Sequence, residues 1–286
     1  MALSDLMDTP LPVFTREEVL GRLRATIAEG RPVVGAGSST GIVAKSAEAG
    51  GADLVIVYST GLSRVRGLPT TVEHGSSNRV TLEMADEILN VIADTPVIGG
   101  VEAIDPKFVR IAGLLDRFQA AGYSGIINFP TITDYEPGTR RRMQRESVGF
   151  GFRRETRMVE LARERELFSM SYVFDLDETR QMVDAGVDVL VAHVGATSGG
   201  LDGFSTHDIE RATDLVNEMI AEAWSRNPDV ICLAHGGPFD TAENVNPLYE
   251  RSRVQGFVGA SSVERIPIEV AVADAVRSFK DARIQR

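Results

Sequence analysis

Eight short runs of valine, isoleucine and leucine recur along this chain, and each is followed by a longer segment of helical periodicity. No other feature restricts the fold as strongly. The runs span 32–36 (PVVGA), 53–58 (DLVIVY), 96–104 (PVIGGVEAI), 124–129 (SGIINF), 167–174 (LFSMSYVF), 187–194 (VDVLVAHV), 229–234 (DVICLA) and 255–259 (QGFVG). The helical segments cover 41–49, 79–93, 108–121, 151–166, 177–185, 206–226, 242–253 and 267–282. Strands that are apolar along both faces must be covered on both, which is the property of a parallel sheet wrapped by helices. Eight such pairs over about 250 residues predict a (β/α)8 TIM barrel, with an open doubly wound sheet as the rival. A further helix opens at Thr15, with Glu18 at the spacing of a capping box, and runs to Gly30 outside the repeat. Glycines in AEAGG, AAGYSG and DAGVD suit left-handed helix ends.

The repeats run without a Pro/Gly linker or a shift in composition, so one barrel domain is expected over residues 1–286. Its N-terminal arm and helix take 1–30 and the barrel 31–283. With 43% hydrophobic and 25% charged residues the chain reads as packed and globular rather than disordered. A net charge of −11 argues against a nucleic acid or an anionic membrane as partner. The single cysteine, Cys232, can form neither an intramolecular disulfide nor a thiolate zinc cluster, and a reducing cytoplasm fits best. The opening residues carry no basic region followed by a long apolar one, and no run of about 18 apolar residues occurs. A cytoplasmic protein is expected.

In a barrel the chemistry belongs at the C-terminal strand ends and the loops after them. His193 and His235 end neighbouring strands, where two imidazoles at one mouth suit acid/base work, oxyanion donation or metal ligation. Tyr172 and Asn128 could donate hydrogen bonds to a substrate oxygen. Glu102 interrupts an apolar run, and with Asp105 it is the candidate base or divalent-metal ligand. Gly35, Gly37 and Gly41 fall one residue short of a dinucleotide fingerprint, so Gly35, Gly37 and Ser38 read as an anion-binding turn or simply as a tight βα turn. Ser59 ends the second strand. Gly236 and Gly237 after strand seven, with Gly259, Ala260, Ser261 and Ser262 after strand eight, are expected to offer backbone N–H groups to an anion. A bulky residue at Gly237 should then abolish binding with little loss of fold. Glu102, His193 and His235 are expected to share one cavity. The segment 59–78 reads as a long loop, a candidate lid whose Arg64 and Arg66 would close over an anionic substrate. His74 and His207 read as solvated. Nucleophile-elbow, Walker A, HExxH and CxxC motifs are missing from the sequence, which removes support for serine-hydrolase and nucleoside-triphosphatase readings.

The segments GAGSSTGIVAKSAEAGGADLVIVYSTG, INFPT, ESVGFGFRRETRMV, AGVDVLVAHVG, PDVICLAHGGP and GFVGASSVERIP resemble the phosphoenolpyruvate hydrolase-like family, a TIM-barrel family distantly related to phosphoenolpyruvate mutase and isocitrate lyase. HGGP and GASSxER are the most specific parts. The resemblance implies a barrel, a small anionic ligand at its mouth, a homo-oligomer and lyase or C–C/C–P hydrolase chemistry on a small oxo acid or phospho/phosphono acid through an enolate. It also implies Mg²⁺ or another divalent metal, which here would rest on Glu102 and Asp105. A non-catalytic ligand-sensing or partner-binding barrel is the alternative.

Overall fold

The computed structural model describes residues 6–284 except 71, 73, 202, 205 and 206. Eight parallel strands close into a barrel in sequence order. They are β1 (Val33–Gly37), β2 (Leu54–Val57), β3 (Val97–Gly100), β4 (Gly125–Ile127), β5 (Phe168–Val173), β6 (Val189–His193), β7 (Ile231–His235) and β8 (Gly256–Gly259). Each coincides with the apolar run that predicts it, β1 and β7 running one residue past theirs. Closure is made by β1 on β8, with Val33 opposite Gly256 and Ala36 opposite Gly259.

Along the strands, alternate residues point inward. Leu54, Ile56, Ile98, Ile127, Phe168, Met170, Val189, Val191, Ile231, Leu233 and Val258 fill the barrel as one cluster. The intervening residues, among them Val55, Val57, Val97 and Ile126, face the surrounding helices. Helix α1 (Arg16–Ala28) carries the expected capping box at Thr15 and Glu18 and buries Val19, Leu20 and Leu23. Those three join the interior cluster, so α1 closes the N-terminal end of the barrel. Gly51, Gly122 and Gly186 adopt positive φ at the helix ends where glycine is expected.

The connecting helices are α2 (Gly41–Ala49), α3 (Ser59–Val65), α4 (Ser77–Leu89), α5 (Ile111–Ala120), α6 (Arg140–Ser147), α7 (Phe152–Glu164), α8 (Leu176–Ala185), α9 (Ile209–Arg226), α10 (Ala242–Arg251) and α11 (Arg265–Lys280). Two of them depart from the sequence reading. The start of the expected loop 59–78 is helical because Arg64 on α3 is drawn into a buried contact 200 residues away, a tertiary effect that local propensity does not contain. Helix α6, polar around most of its circumference, is held by a Thr139 cap that accepts from the Arg142 N–H.

The last helix differs from the rest. From Val270 to its end α11 is exposed or partly exposed on every side, including Val270, Val272, Val276 and Phe279. An apolar groove of about 540 Å³ lies between α2 and the start of α11, lined in part by Val34, Ala36, Val43, Pro267 and Ile268.

Candidate active site

The last inward positions of β6 and β7 are His193 and His235, which stand opposite each other in the register with ring centroids 4.6 Å apart. Tyr172 on β5 packs against both, at 5.2 Å and 5.0 Å. Phe174 stacks on His193 at 4.2 Å, and Phe129 and Tyr58 continue the aromatic layer across the mouth. The Gly195 N–H donates to His193 Nδ1 at 3.1 Å, while His235 Nδ1 lies 2.7 Å from the Val258 carbonyl oxygen. Burial, and then the neighbouring His235, holds the His193 pKa well below its ordinary value. Burial takes His235 down to about 4, assisted by the Arg64 charge and opposed by the Val258 carbonyl. Both rings are therefore neutral at pH 7. Burial raises Tyr172, as does the neighbouring Tyr58 hydroxyl, and among the described residues no group meets the Tyr172 hydroxyl in hydrogen-bond geometry.

On the neighbouring β8–β1–β2 side a buried ion pair organises the loops. Arg64 donates from Nε and an η nitrogen to Glu264 Oε2 at 3.0 and 2.8 Å, and the Ser39 N–H donates to Glu264 Oε1 at 2.7 Å. The two side chains are 1% and 0% exposed, so the charges must satisfy each other. Around them the hydroxyls of Ser39, Thr60 and Ser262 are buried without a hydrogen-bond partner among the described residues. Gly61 makes this packing feasible, since a Cβ there would fall 2.0 Å from Ser39 Oγ.

Several expectations take a different physical form. Arg64 is spent on Glu264 and cannot close over a substrate as a free clamp, while Arg66 lies 3.3 Å from His74. A Cβ on Gly35 would press on Ile56 and Val258, and one on Gly37 on Ala260, so both glycines permit close strand packing. Ser38 donates its N–H to the Ile56 carbonyl. Ser59 is buried in the first turn of α3. Asn128 is engaged twice with the backbone of Tyr172 and once with Glu155, at 3.1, 2.7 and 2.7 Å, so it braces the site. Gly236 and Gly237 have positive φ, and Cβ atoms there would lie 2.1 Å and 2.8 Å from the carbonyl oxygens of Gly195 and Val194. The Gly237 N–H already donates to Gly195 O at 2.9 Å. A bulky residue at Gly237 would thus damage the fold as well as any ligand contact, contrary to the sequence expectation. Gly259 makes room for Val263 and Ser262, while the carbonyls of Ala260 and Ser261 start α11 by accepting from Glu264 and Ile266.

Glu102 and Asp105 follow β3, across the barrel from the histidines. Asp105 is occupied by Ser76 Oγ at 2.5 Å, Asn78 Nδ2 at 3.3 Å and the Lys107 N–H at 2.9 Å, and Glu102 is tied through its backbone to Asn78. Among the described residues no three His, Cys, Asp or Glu side chains gather as a metal would require. Asp105, already holding three protein partners, and Glu102 are the carboxylates on which the resemblance would rest such an ion.

The pairing of Arg64 with Glu264, and the burial of Ser39 and Thr60 beside it, have no local signal in the sequence. GASSVER contains Glu264, but nothing local tells that its charge is buried. Sequence reading missed Glu155 on α7, fully buried beneath Asn128 and Thr131, whose carboxyl burial raises to about 8.

The family model described as phosphoenolpyruvate hydrolase-like matches residues 18–282, a span that contains all of these strand ends. The chain belongs to the phosphoenolpyruvate hydrolase-like family. Its curated relatives include the ToMV resistance protein Tm-1(GCR237) of Solanum lycopersicum, 37% identical over 96% of this chain and 37% of that protein. A putative transcriptional regulatory protein, y4pA, of Sinorhizobium fredii is 30% identical over 94% of this chain and 44% of that protein. The chain thus spans less than half the length of these relatives. Among solved structures, a phosphoenolpyruvate phosphomutase from Streptomyces platensis subsp. rosaceus superposes with a TM-score of 0.62 at 16% identity, covering 92% of this chain and 88% of that one. A phosphonopyruvate hydrolase in complex with oxalate and Mg²⁺ superposes at 0.58 and 18%, covering 94% and 88%. At such identities the likeness is one of fold. For this family member, no helix among the described residues is long and apolar enough to cross a membrane.

Proposed function

We propose that this chain is an enzyme acting on a small oxo acid, or a phospho or phosphono acid, through an enolate-type intermediate, as a lyase or a C–C/C–P hydrolase. The observation that carries the reading is the convergence of two neutral imidazoles and the unpartnered Tyr172 hydroxyl at the ends of β5, β6 and β7. Buried polar groups without partners cost stability, and strand ends that retain them are built to meet a ligand. The oxalate-bound phosphonopyruvate hydrolase, of the same fold, supports a small anion as ligand. His193, His235 and Tyr172 are the candidate catalytic groups, and Ser39, Thr60 and Ser262 the candidate ligand contacts.

The test is titration calorimetry with oxalate, alongside a turnover screen of small oxo, phospho and phosphono acids with and without Mg²⁺. Alanine at His193 or His235 should cut turnover by about 10²-fold while leaving the unfolding temperature nearly unchanged. Lost stability with turnover preserved would make these histidines structural. A second reading, a partner-binding barrel, is favoured by the exposed apolar stripe of α11, and absence of both oxalate binding and turnover would put it first.

The same stripe supports a homo-oligomer. Val270, Val272, Val276 and Phe279 are left in water beside an unfilled apolar groove in the same chain, and a second copy offers both surfaces at once. Sedimentation should find a multimer that Phe279→Glu weakens. The single free cysteine, Cys232, buried and with its thiol pushed up to about 12, suits a reducing compartment.

A further inference from the structure

The two histidines are not equivalent, and their main-chain partners fix how they differ. A backbone N–H can only donate, so the Nδ1 of His193 that receives the Gly195 N–H carries no proton, and a neutral ring must hold its proton on Nε2. A carbonyl oxygen can only accept, so His235 Nδ1 beside Val258 O carries the proton and leaves Nε2 bare. In both rings it is Nδ1 that the backbone engages, and the rings stand 4.6 Å apart. The mouth therefore offers one N–H donor and one lone pair side by side.

The charges nearby narrow the ligand further. Arg64, whose charge reaches His235, is neutralised by Glu264. A phosphoryl or phosphonyl dianion needs cations that remain unspent. A carbonyl that develops a single negative charge needs only a hydrogen-bond donor at its oxygen.

We propose that His193 and His235 are locked in opposite tautomers and cleave a C–C bond of a small β-oxo acid with water, His193 as oxyanion donor and His235 as base. This rests on the enzymatic reading above. His235 Nε2 takes a proton from water as the water oxygen bonds to the carbonyl carbon. The carbonyl π pair becomes an oxyanion held by the His193 Nε2–H, which is not transferred. The oxyanion re-forms C=O as the adjacent C–C bond breaks, its electron pair leaving as the enolate of the second fragment. That enolate carbon takes the proton from His235, so one water and one β-oxo acid give two carboxylic acids, oxalate and acetate from oxaloacetate.

Two measurements on the whole chain separate this assignment from the reading beneath it. Nitrogen-15 NMR of the imidazoles at pH 7 should show the proton of His193 on Nε2 and that of His235 on Nδ1. Matching tautomers, or a doubly protonated ring, would overturn the division of labour even if the protein turns over oxo acids. The second is a turnover comparison of oxaloacetate, as the β-oxo acid probe, with phosphonopyruvate. Oxaloacetate should be cleaved, with kcat falling by about 10²-fold or more in both alanine variants and KM changing little. His193→Gln, which restores a donor near the Nε2 position, should recover part of kcat, whereas His235→Gln should not. Faster cleavage of phosphonopyruvate would overturn the carbonyl assignment and leave the broader enzymatic reading standing. Failure of both substrates, with both alanine variants unchanged in oxalate binding, would remove the site itself.

Discussion

The two ends of the barrel are made from similar residues and treat their polar groups in opposite ways. At the N-terminal end, Asp188 is satisfied by Arg16 at 2.7 Å and the Ser169 N–H at 3.0 Å. Asp53 there accepts from Thr26 Oγ1 at 2.7 Å and the Val34 N–H at 2.8 Å. Between these pairs the apolar face of α1 seals the opening. At the C-terminal end the hydroxyls of Ser39, Thr60, Tyr172 and Ser262 are buried without partners, beside two imidazoles that burial keeps neutral. One fold thus completes its polar groups at the closed end and leaves several incomplete at the end where the proposed site lies.

The largest effect should come from breaking a feature of the upper end that is completed as fully as those of the lower. Arg64→Met leaves Glu264 buried without its cation and should cost about 3–5 kcal/mol in chemical denaturation. A loss below about 1 kcal/mol would mean that water or rearrangement replaces the arginine. At the lower end, Leu23→Ala should cost about 2–5 kcal/mol through the cavity it leaves, with oxalate affinity unchanged. A matching fall in affinity would show that the two ends are coupled and the contrast is false.

A smaller effect appears in the dependence of stability on pH, where two buried groups of the upper half oppose each other. His235, at about 4 in the folded chain against 6.5 unfolded, is protonated only in the unfolded state between those values. Its contribution is complete above pH 6.5 and is lost as pH falls toward 4. Glu155, raised to about 8 from 4.5, is protonated only in the folded state between those values, so stability declines as pH climbs from 4.5 to 8. Glu155→Gln should flatten the decline between pH 6.5 and 8 and, because its range overlaps that of His235, steepen the rise between 4.5 and 6.5. An unchanged alkaline slope would assign it to another group.

This contrast between ends was only partly legible in the sequence. Strand runs such as DLVIVY and VDVLVAHV declare themselves because a doubly covered strand is apolar along its whole length, and Thr15 with Glu18 marks α1 by a local capping rule. His193 and His235 were readable because a polar residue at the end of such a run is costly without a purpose. The Arg64–Glu264 pair was not, since it joins residues 200 apart and neither side chain betrays burial in its neighbourhood. Glu102 stands two residues past the end of β3, which the strand order sets across the barrel from β6 and β7, and that order is a property of the closed sheet. The glycines of HGGP were visible as special, but their positive φ and the carbonyls against them belong to the packing of two loops.

The smallest stability change should come from the unpartnered hydroxyls, and it sharpens the comparison most. Ordinarily, deleting a buried hydroxyl removes a hydrogen bond and costs about 0.5–1.5 kcal/mol. Ser39, Thr60 and Ser262 have no such bond to lose among the described residues, so Ser39→Ala, Thr60→Val and Ser262→Ala should leave stability unchanged or raise it by up to about 1 kcal/mol. Thr26→Val at the lower end, which strips Asp53 of a donor 2.7 Å away, should behave in the ordinary way and destabilise. If the upper hydroxyls are held for a ligand, the same three substitutions should weaken oxalate binding several-fold each while the protein becomes no less stable. Should they destabilise like Thr26→Val and leave binding untouched, the polar groups of the two ends would be doing the same job, and the ligand would have to be sought elsewhere on the barrel.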